Sequence, residues 1–311
     1  FFFFMRVQTV YCETDSPELA AEKVKTLLML RAAGWEDAFL GADAGNPVQM
    51  KRYTKPSTLK EIREAVKILK TVVVLPNLRI GYILIDPFMD FNELKQSLAF
   101  VEEADMVEGI HFSLVKLSFY EGSRLTKMAK RRGIIEGEAN ELLSYQGERY
   151  SDPQVQAVAT IFDAWHQATR PILTVCSQYV NSKDPDSVLV AEAQRMREAL
   201  EGQYYPLLLD VVAAVDSQNW EKIIAVAGEL ARGRAAILRN FLDHAPGDMG
   251  SLEHQALVKS CRVTMWVDEI AADVLERSYQ KNFVMWEDWR YQLLTREHLS
   301  DGLVDETMQK A

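Results

Sequence analysis

The hydrophobic pattern of this chain changes once, near residue 140, and that change restricts the fold more than any other feature. Before it, short apolar runs rich in β-branched and aromatic residues alternate with segments of helical periodicity. This alternation predicts parallel strands with right-handed crossovers, because parallel neighbours need a long connection between them. After it, apolar residues recur at helical spacing. We therefore predict an α/β domain over residues 5–140 and an all-helical domain over residues 141–311.

Four β–α units are predicted in the first part. One helix begins at Ser16 and Pro17 and ends at Gly34, and another begins at Ser57 or Thr58, each with a residue type that caps helices. The predicted strands are VQTVY (7–11), the start of EDAFLGADAGN (36–46), IGYILID (80–86) and FSLVKLSFY (112–120). The helical segments predicted in the second part are 153–180, 186–216, 219–244 and 250–281.

Charge and hydropathy argue against two classes of partner. The chain has 35 Lys and Arg against 45 Asp and Glu, a net charge of −10, which disfavours non-specific binding to nucleic acid. No uncharged apolar run approaches the roughly 18 residues that span a bilayer. Cys12, Cys176 and Cys261 are too far apart in sequence for a disulfide framework or a metal motif. A reducing cytoplasm is therefore the expected location.

The chain opens with FFFFM, which has neither the charged leader nor the cleavage site of a targeting segment. Three interpretations stay open: a cloning remnant, a misread start, or the end of something longer.

The stretch after the second predicted strand resembles a motif of the radical S-adenosylmethionine (radical SAM) enzymes. That family has a strand ending in G-x-E-S-G, then an L-x-R-x-x-K segment, then a helix start with Thr and Glu. The corresponding residues here are Gly41 to Gly45, then Met50, Arg52 and Lys55, then Thr58 and Glu61.

Two later stretches resemble the same family. GYILIDPFMDFNEL is similar to its fifth strand, and YEGSRL with a later Gly is similar to its sixth-strand segment. The matching residues are Gly81, Ile83, Asp86, Pro87, Glu93 and Leu94, then Tyr120, Gly122, Ser123, Leu125 and Gly133. The resemblance covers residues 7–135 and is strongest to the cobalamin-associated subgroup. It implies strands three to six of a partial parallel (βα) barrel of the TIM-barrel type, followed by an all-α domain.

The resemblance also implies the site. Asp43, flanked by Gly41 and Gly45, would accept hydrogen bonds from the ribose hydroxyls of S-adenosylmethionine. Arg52 and Lys55 would bind the carboxylate of its methionine part, because an Arg guanidinium can form a bidentate pair with a carboxylate. Each role has a structural alternative: Asp43 as the cap of a turn, and Arg52 with Lys55 as a solvated basic loop.

Asp86 belongs either to the cofactor wall or to a strand-terminating turn, and Pro87 favours the turn. The family holds a [4Fe–4S] cluster through C-x-x-x-C-x-x-C, and no such triplet occurs here. Asp43 stands where the family has Glu, Ala44 where it has Ser, and Glu121 where it has Pro. Any cluster ligands must therefore come from a missing segment or a partner, and no metal ligands are predicted in this chain.

Three functions remain open on these observations. The first is a radical SAM fragment or subunit that contributes the S-adenosylmethionine-binding wall and a helical domain covering a small-molecule or peptide substrate, with cobalamin as a further cofactor. The second is a non-catalytic scaffold with a degenerate half-barrel, and the third is an unrelated α/β binding protein. Because the barrel is incomplete, we expect an oligomer or a partner chain that completes it.

The helical domain offers weaker signals. Asp163 and His166 have the spacing of one metal-binding pair, but a di-iron bundle needs more such ligands, so His166 is predicted to be a core or surface residue. The aromatic residues near Trp266 are predicted to pack in the core. Asp268, Glu269, Asp273 and Glu276 fall on more than one helical face and predict solvated surface.

Overall fold

A computed structural model of the chain describes residues 2–110, 116–139, 149–181, 187–244 and 252–281. It divides into two compact units, Phe1–Gln156 and Ala157–Ala311. The first is α/β and the second is helical in its described part.

The described sheet of the first unit has three parallel strands in the order β1-β2-β3. The strands are β1 (Phe2–Arg6), β2 (Asp37–Asp43) and β3 (Asn77–Tyr82). β2 lies at the centre, pairing along its length with β1 on one side and β3 on the other. The second and third predicted strands are thus confirmed, with shifted ends.

The predicted strand over 7–11 is wrong. Val7–Val10 forms a single helical turn, α1, and the strand is the phenylalanine tract that precedes it. Val7 and Val10 are both buried, and a spacing of three residues brings them to one face of a helical turn. Aromatic residues favour strands, and Phe2–Arg6 forms β1 of the sheet.

The other helices of the first unit begin at capping side chains. Ser16, Asn46, Thr58, Asp90 and Ser123 each accept a hydrogen bond from a backbone N–H of the first turn. The helices are α2 (Pro17–Ala32), α3 (Pro47–Tyr53), α4 (Leu59–Lys67), α5 (Phe91–Glu103) and α6 (Arg124–Arg131). Of these, α2 and α4 agree with the helices predicted from the sequence, apart from their exact ends.

The fourth predicted strand, 112–120, lies partly outside the described residues. In its described part, Ile85 and Lys116 form a parallel bridge, and the Leu117 N–H donates to the Ile85 carbonyl at 3.0 Å. Over the described residues the sheet therefore has three regular strands, and a barrel of four units is not confirmed.

The second unit consists of helices in its described part. They are α7 (Pro153–Val180, which begins in the first unit), α8 (Ser187–Gly202), α9 (Tyr204–Asp216), α10 (Trp220–His244) and α11 (Leu252–Lys281). The predicted segment 186–216 is two helices. Pro206 lies in the first turn of α9, where its missing N–H leaves no intrahelical bond unmade.

The prediction that Asp268 is solvated is wrong. Asp268 on α11 is buried and forms an ion pair with Arg234 of α10. Arg234 also donates to the Trp165 carbonyl and to the Thr169 hydroxyl on α7, at 3.0 and 3.1 Å. One buried guanidinium thus links three helices.

Candidate functional site at the carboxyl edge of the sheet

Asp43 ends the central strand in a strained turn. Its φ is +64°, and the Ala44 N–H donates to the Ala42 carbonyl at 2.8 Å, a three-residue turn centred on Asp43. Non-glycine residues rarely adopt this φ, and such geometry costs on the order of 1–3 kcal/mol. Asp is one of the side chains that tolerate it best. The turn holds the Asp43 carboxylate at the carboxyl end of β2, the edge where parallel sheets bind ligands.

The two glycines beside Asp43 have different roles. A Cβ at Gly45 would lie 1.6 Å from the Tyr82 hydroxyl oxygen, so only glycine fits the close approach of this loop to β3. A Cβ at Gly41 would meet only the Met5 carbonyl oxygen at 3.8 Å and an Asp43 carboxylate oxygen at 3.9 Å. Gly41 therefore leaves open the space beside the Asp43 carboxylate.

Lys55 forms an ion pair with Asp43. Its Nζ is 2.8 Å from the Asp43 Oδ2, and both side chains are about one-third exposed, at 35% and 32%. An ion pair this exposed contributes roughly 0–1 kcal/mol. A ligand that supplies hydrogen bonds to the carboxylate could therefore replace the lysine at little cost.

Arg52 and Asp86 form a second, buried cluster. Arg52 donates to Asp86 at 2.5 Å and to the two oxygens of Glu93 at 3.0 and 2.7 Å. The Tyr53 hydroxyl donates to the same Asp86 oxygen at 2.9 Å, and the Phe88 N–H donates to the other at 2.8 Å. Asp86 is fully buried, so its charge depends on these partners.

The pKa shifts of the cluster follow from burial and charge. Burial raises the pKa of the Tyr53 hydroxyl well above its usual range, and the Asp86 charge adds to this effect. Burial also raises the pKa of Glu93, although its bonds to Arg52 oppose the shift. Burial alone would lower the pKa of Arg52, but Asp86 and Glu93 raise it overall. The shift of Tyr53 keeps its hydroxyl neutral, and the shift of Arg52 keeps its guanidinium charged.

The predicted site residues thus fall into two groups at one edge of the sheet. Gly41, Asp43 and Lys55 form the open group, and Arg52 with Asp86 forms the closed one. The Arg52 guanidinium is already bonded to two carboxylates. A ligand carboxylate would have to compete with them.

A buried polar network under the Asp43 loop was not predicted from the sequence. Asn46 donates to the Ser97 hydroxyl at 2.8 Å, and Gln49 donates to the Ile83 carbonyl at 2.8 Å. The Tyr82 hydroxyl donates to the Ser97 carbonyl at 2.9 Å. The Asn-Pro pair at 46–47 resembles a helix start and could have indicated α3, but the partners on β3 and α5 are distant in sequence.

The three cysteines are all free. Cys176 and Cys261 are buried in the second unit, and Cys12 is half-buried in the first. Over the part of the chain that the structure describes, no group of three His, Cys, Asp or Glu side chains is arranged to hold a metal ion. Within the same ranges, no helix combines the length and the apolar character needed to cross a membrane.

Comparisons with known proteins agree with the resemblance seen in the sequence. The chain is 32% identical over 106 residues to 4'-phospho-dehydrooxetanocin synthase of Priestia megaterium, a match that covers 34% of this chain and 14% of that protein. No family model matches the chain.

Solved structures of the cobalamin-dependent S-adenosylmethionine radical enzyme OxsB have a similar fold. The form with aqua-cobalamin bound gives a TM-score of 0.69 at 16% identity, covering 85% of this chain and 46% of that one. The form with aqua-cobalamin and S-adenosylmethionine gives 0.68 at 16%, with the same coverage. The chain spans about half the length of these enzymes and a smaller part of the curated relative. The resemblance to the cobalamin-associated radical SAM enzymes is therefore confirmed, and this chain has their fold over most of its length.

Proposed function

We propose that this chain forms part of a radical SAM enzyme that acts on a small molecule or a peptide. It would contribute the wall that holds the adenosine of S-adenosylmethionine and a helical domain that covers the substrate. When bound and reduced by a cluster, S-adenosylmethionine supplies a 5′-deoxyadenosyl radical, as the family resemblance implies. The residues of this chain would bind and orient it.

The strained turn at Asp43 is the observation that carries this proposal. A carboxylate at the end of the central strand can accept two hydrogen bonds from vicinal ribose hydroxyls. The open space at Gly41 lets a flat sugar approach it. Lys55 would leave Asp43 on binding and become available for the methionine carboxylate.

The test is S-adenosylmethionine binding by isothermal titration calorimetry. We compare the parent chain with Asp43→Asn, which removes the charge while keeping a residue that tolerates φ near +64°. Losing a hydrogen-bonded charge costs ~1.5–3 kcal/mol, so affinity should fall about ten- to a hundredfold. Asp37→Asn is the matched control, because Asp37 starts the same strand at its opposite end. No binding by the parent chain, or equal binding by both variants, would contradict the proposal.

The other cofactors are proposed on weaker grounds. The [4Fe–4S] ligands would come from polypeptide outside this sequence, because the three cysteines here do not fit a cluster. Cobalamin is proposed because the solved structures with this fold are described as cobalamin-dependent and contain aqua-cobalamin. Nothing among the described residues favours the non-catalytic scaffold.

We also propose that a second copy or a partner chain completes the sheet beside β1. Among the described strands, β1 pairs only with β2, and its Phe2 and Phe4 side chains are 40% and 79% exposed. Helix α2, all of which is described, buries only Leu27. An exposed apolar edge of a parallel sheet invites pairing with another chain.

Sedimentation velocity and amide hydrogen exchange test whether another chain pairs with β1. We expect a species larger than the monomer and slow exchange at residues 2–6. Phe4→Lys should shift the protein toward monomer, whereas Val188→Lys, at an exposed position of the helical unit, should not. A stable monomer with fast exchange at residues 2–6 would refute the completed edge.

A further inference from the structure

The described sheet of the first unit has a buried face and an open face. Successive side chains of a strand point to opposite faces, and along β2 Ala38, Leu40 and Ala42 are buried while the residues between them are partly exposed. On β1, Phe2 and Phe4 are exposed. Parallel sheets normally have both of their faces covered. The open face is therefore a candidate surface for a ligand.

Aromatic rings line this open face. The ring centres of Phe4 and Phe39 lie 5.6 Å apart, and those of Phe2 and Phe4 lie 4.9 Å apart. A Cβ at Gly81 would lie 2.4 Å from an atom of the Phe39 ring, so this ring lies directly on the backbone of β3. Phe4 and Phe39, here called the aromatic floor, thus form an apolar surface that extends from β1 to β3.

The aromatic floor adjoins the proposed ribose site. Phe39 and Gly41 are two residues apart on β2 and share its open face. A Cβ at Gly41 would lie 3.9 Å from an Asp43 carboxylate oxygen, and the Met5 carbonyl oxygen is the other atom within 4 Å. The missing side chain of Gly41 therefore leaves a space with the floor on one side and the Asp43 carboxylate on the other.

We propose that the aromatic floor binds a carbocyclic aromatic ring of the substrate. This rests on the proposed function, which places the ribose of S-adenosylmethionine at Asp43. The reactive 5′ carbon is attached to that ribose, so the substrate has to lie beside Asp43. Leu40 and Ala42, on the opposite face of β2, are buried. The substrate therefore approaches over the open face, where the aromatic floor is the surface that it contacts.

The chemistry of the floor favours an aromatic ring without polar edges. Two aromatic rings in offset or edge-to-face contact attract each other beyond the effect of the area they bury. Neither Phe4 nor Phe39 has a side-chain hydrogen-bond donor or acceptor. A nucleobase laid on the floor would lose hydrogen bonds to water without replacement. Asp37 and Arg79, on the same face, form an ion pair with each other at 2.6 Å.

The test uses benzamide as the probe and cyclohexanecarboxamide, which has the same polar group on a saturated ring, as its comparison. Saturation-transfer NMR measures both dissociation constants with the parent chain in the absence of S-adenosylmethionine. Benzamide should bind more tightly, and Phe39→Leu should weaken its binding about two- to tenfold, the range for the loss of one aromatic pair. Phe2→Leu is the matched control, because Phe2 is exposed at the end of β1 farther from Asp43, and it should change benzamide binding less than Phe39→Leu.

A second variant and a second ligand keep the outcome interpretable. Phe4 is 79% exposed, so Phe4→Leu should leave the thermal midpoint unchanged and still weaken benzamide binding. Asp43→Asn should weaken S-adenosylmethionine binding and leave benzamide binding intact, whereas Phe39→Leu should do the reverse.

Four results would each refute the aromatic floor. They are no binding of benzamide, equal binding of benzamide and cyclohexanecarboxamide, binding of benzamide to Phe4→Leu and Phe39→Leu as to the parent chain, and tighter binding of adenine than of benzamide. None of these results depends on whether S-adenosylmethionine binds, so the inference and the proposed function can fail separately.

Discussion

Replacing Arg234 with Met should destabilise the helical unit more than any surface change. Arg234 and Asp268 are 5% and 2% exposed, and Arg234 makes two hydrogen bonds to Asp268 beside its bonds to Trp165 and Thr169. Removing the guanidinium leaves a buried carboxylate without its counter-charge. Breaking a buried pair in this way costs about 3–5 kcal/mol.

Thermal unfolding followed by circular dichroism at 222 nm measures this loss. For a unit of about 150 residues, each kcal/mol lowers the melting temperature by about 2–4 °C, so a fall of about 6–20 °C is expected. The matched control is Arg239→Met, which removes an ion pair between the same two helices, α10 and α11. That pair is exposed, with Arg239 and Glu269 at 60% and 40%, and should contribute under about 1 kcal/mol.

The pH dependence of the stability lost in Arg234→Met gives a second test of the buried ion pair. Burial raises the pKa of Asp268, and its hydrogen bonds to Arg234 oppose that rise. Without Arg234 only the raising effect remains, so the folded pKa moves further above the unfolded value. Such a group stabilises the fold below its unfolded pKa, about 3.9, and loses that contribution as pH rises through the folded value. The destabilisation by Arg234→Met should therefore be smaller near pH 4.5 than near pH 8.

Three results would refute this reasoning. One is an equal loss of stability in Arg234→Met and Arg239→Met, since burial would then have no effect. Another is a loss that does not depend on pH. The third is a double variant, Arg234→Met with Asp268→Leu, that is no more stable than Arg234→Met, because removing both charges should relieve the unpaired carboxylate.

Two further predictions concern packing and thiol chemistry. Gly45→Ala should destabilise the first unit by about 1–3 kcal/mol in urea unfolding, because its Cβ would overlap the Tyr82 hydroxyl. Gly202→Ala is the control and should not destabilise the protein, because no heavy atom lies within 4 Å of a Cβ at this position. Equal effects of the two variants would contradict the close approach of the Gly45 loop to Tyr82. A thiol reagent at pH 8 should modify Cys12 alone in the folded protein, because burial raises the pKa of Cys176 to about 11 and that of Cys261 to about 12. Mass spectrometry counts the modified cysteines. Rapid modification of all three would show that the helical unit opens.

The sequence determined the features that depend on neighbouring residues. The caps at Ser16, Thr58 and Ser123 are readable because a capping side chain bonds to a backbone N–H only a few residues away. The helical unit was predictable for the same reason, since its apolar periodicity is local. The strand-end motif likewise placed Asp43 at the end of β2.

Only the tertiary structure decided the features that depend on distant partners. Residues 2–10 contain apolar runs that suit a strand at several positions, and pairing of Phe2–Arg6 with β2 selected the register. Arg52 is bonded to Asp86 and Glu93, which are more than thirty residues away along the chain. Asp268 was predicted to be solvated because helical spacing shows which residues share a face. Helical spacing does not show which face of α11 another helix covers. In the structure, α10 places Arg234 against the face of α11 that carries Asp268.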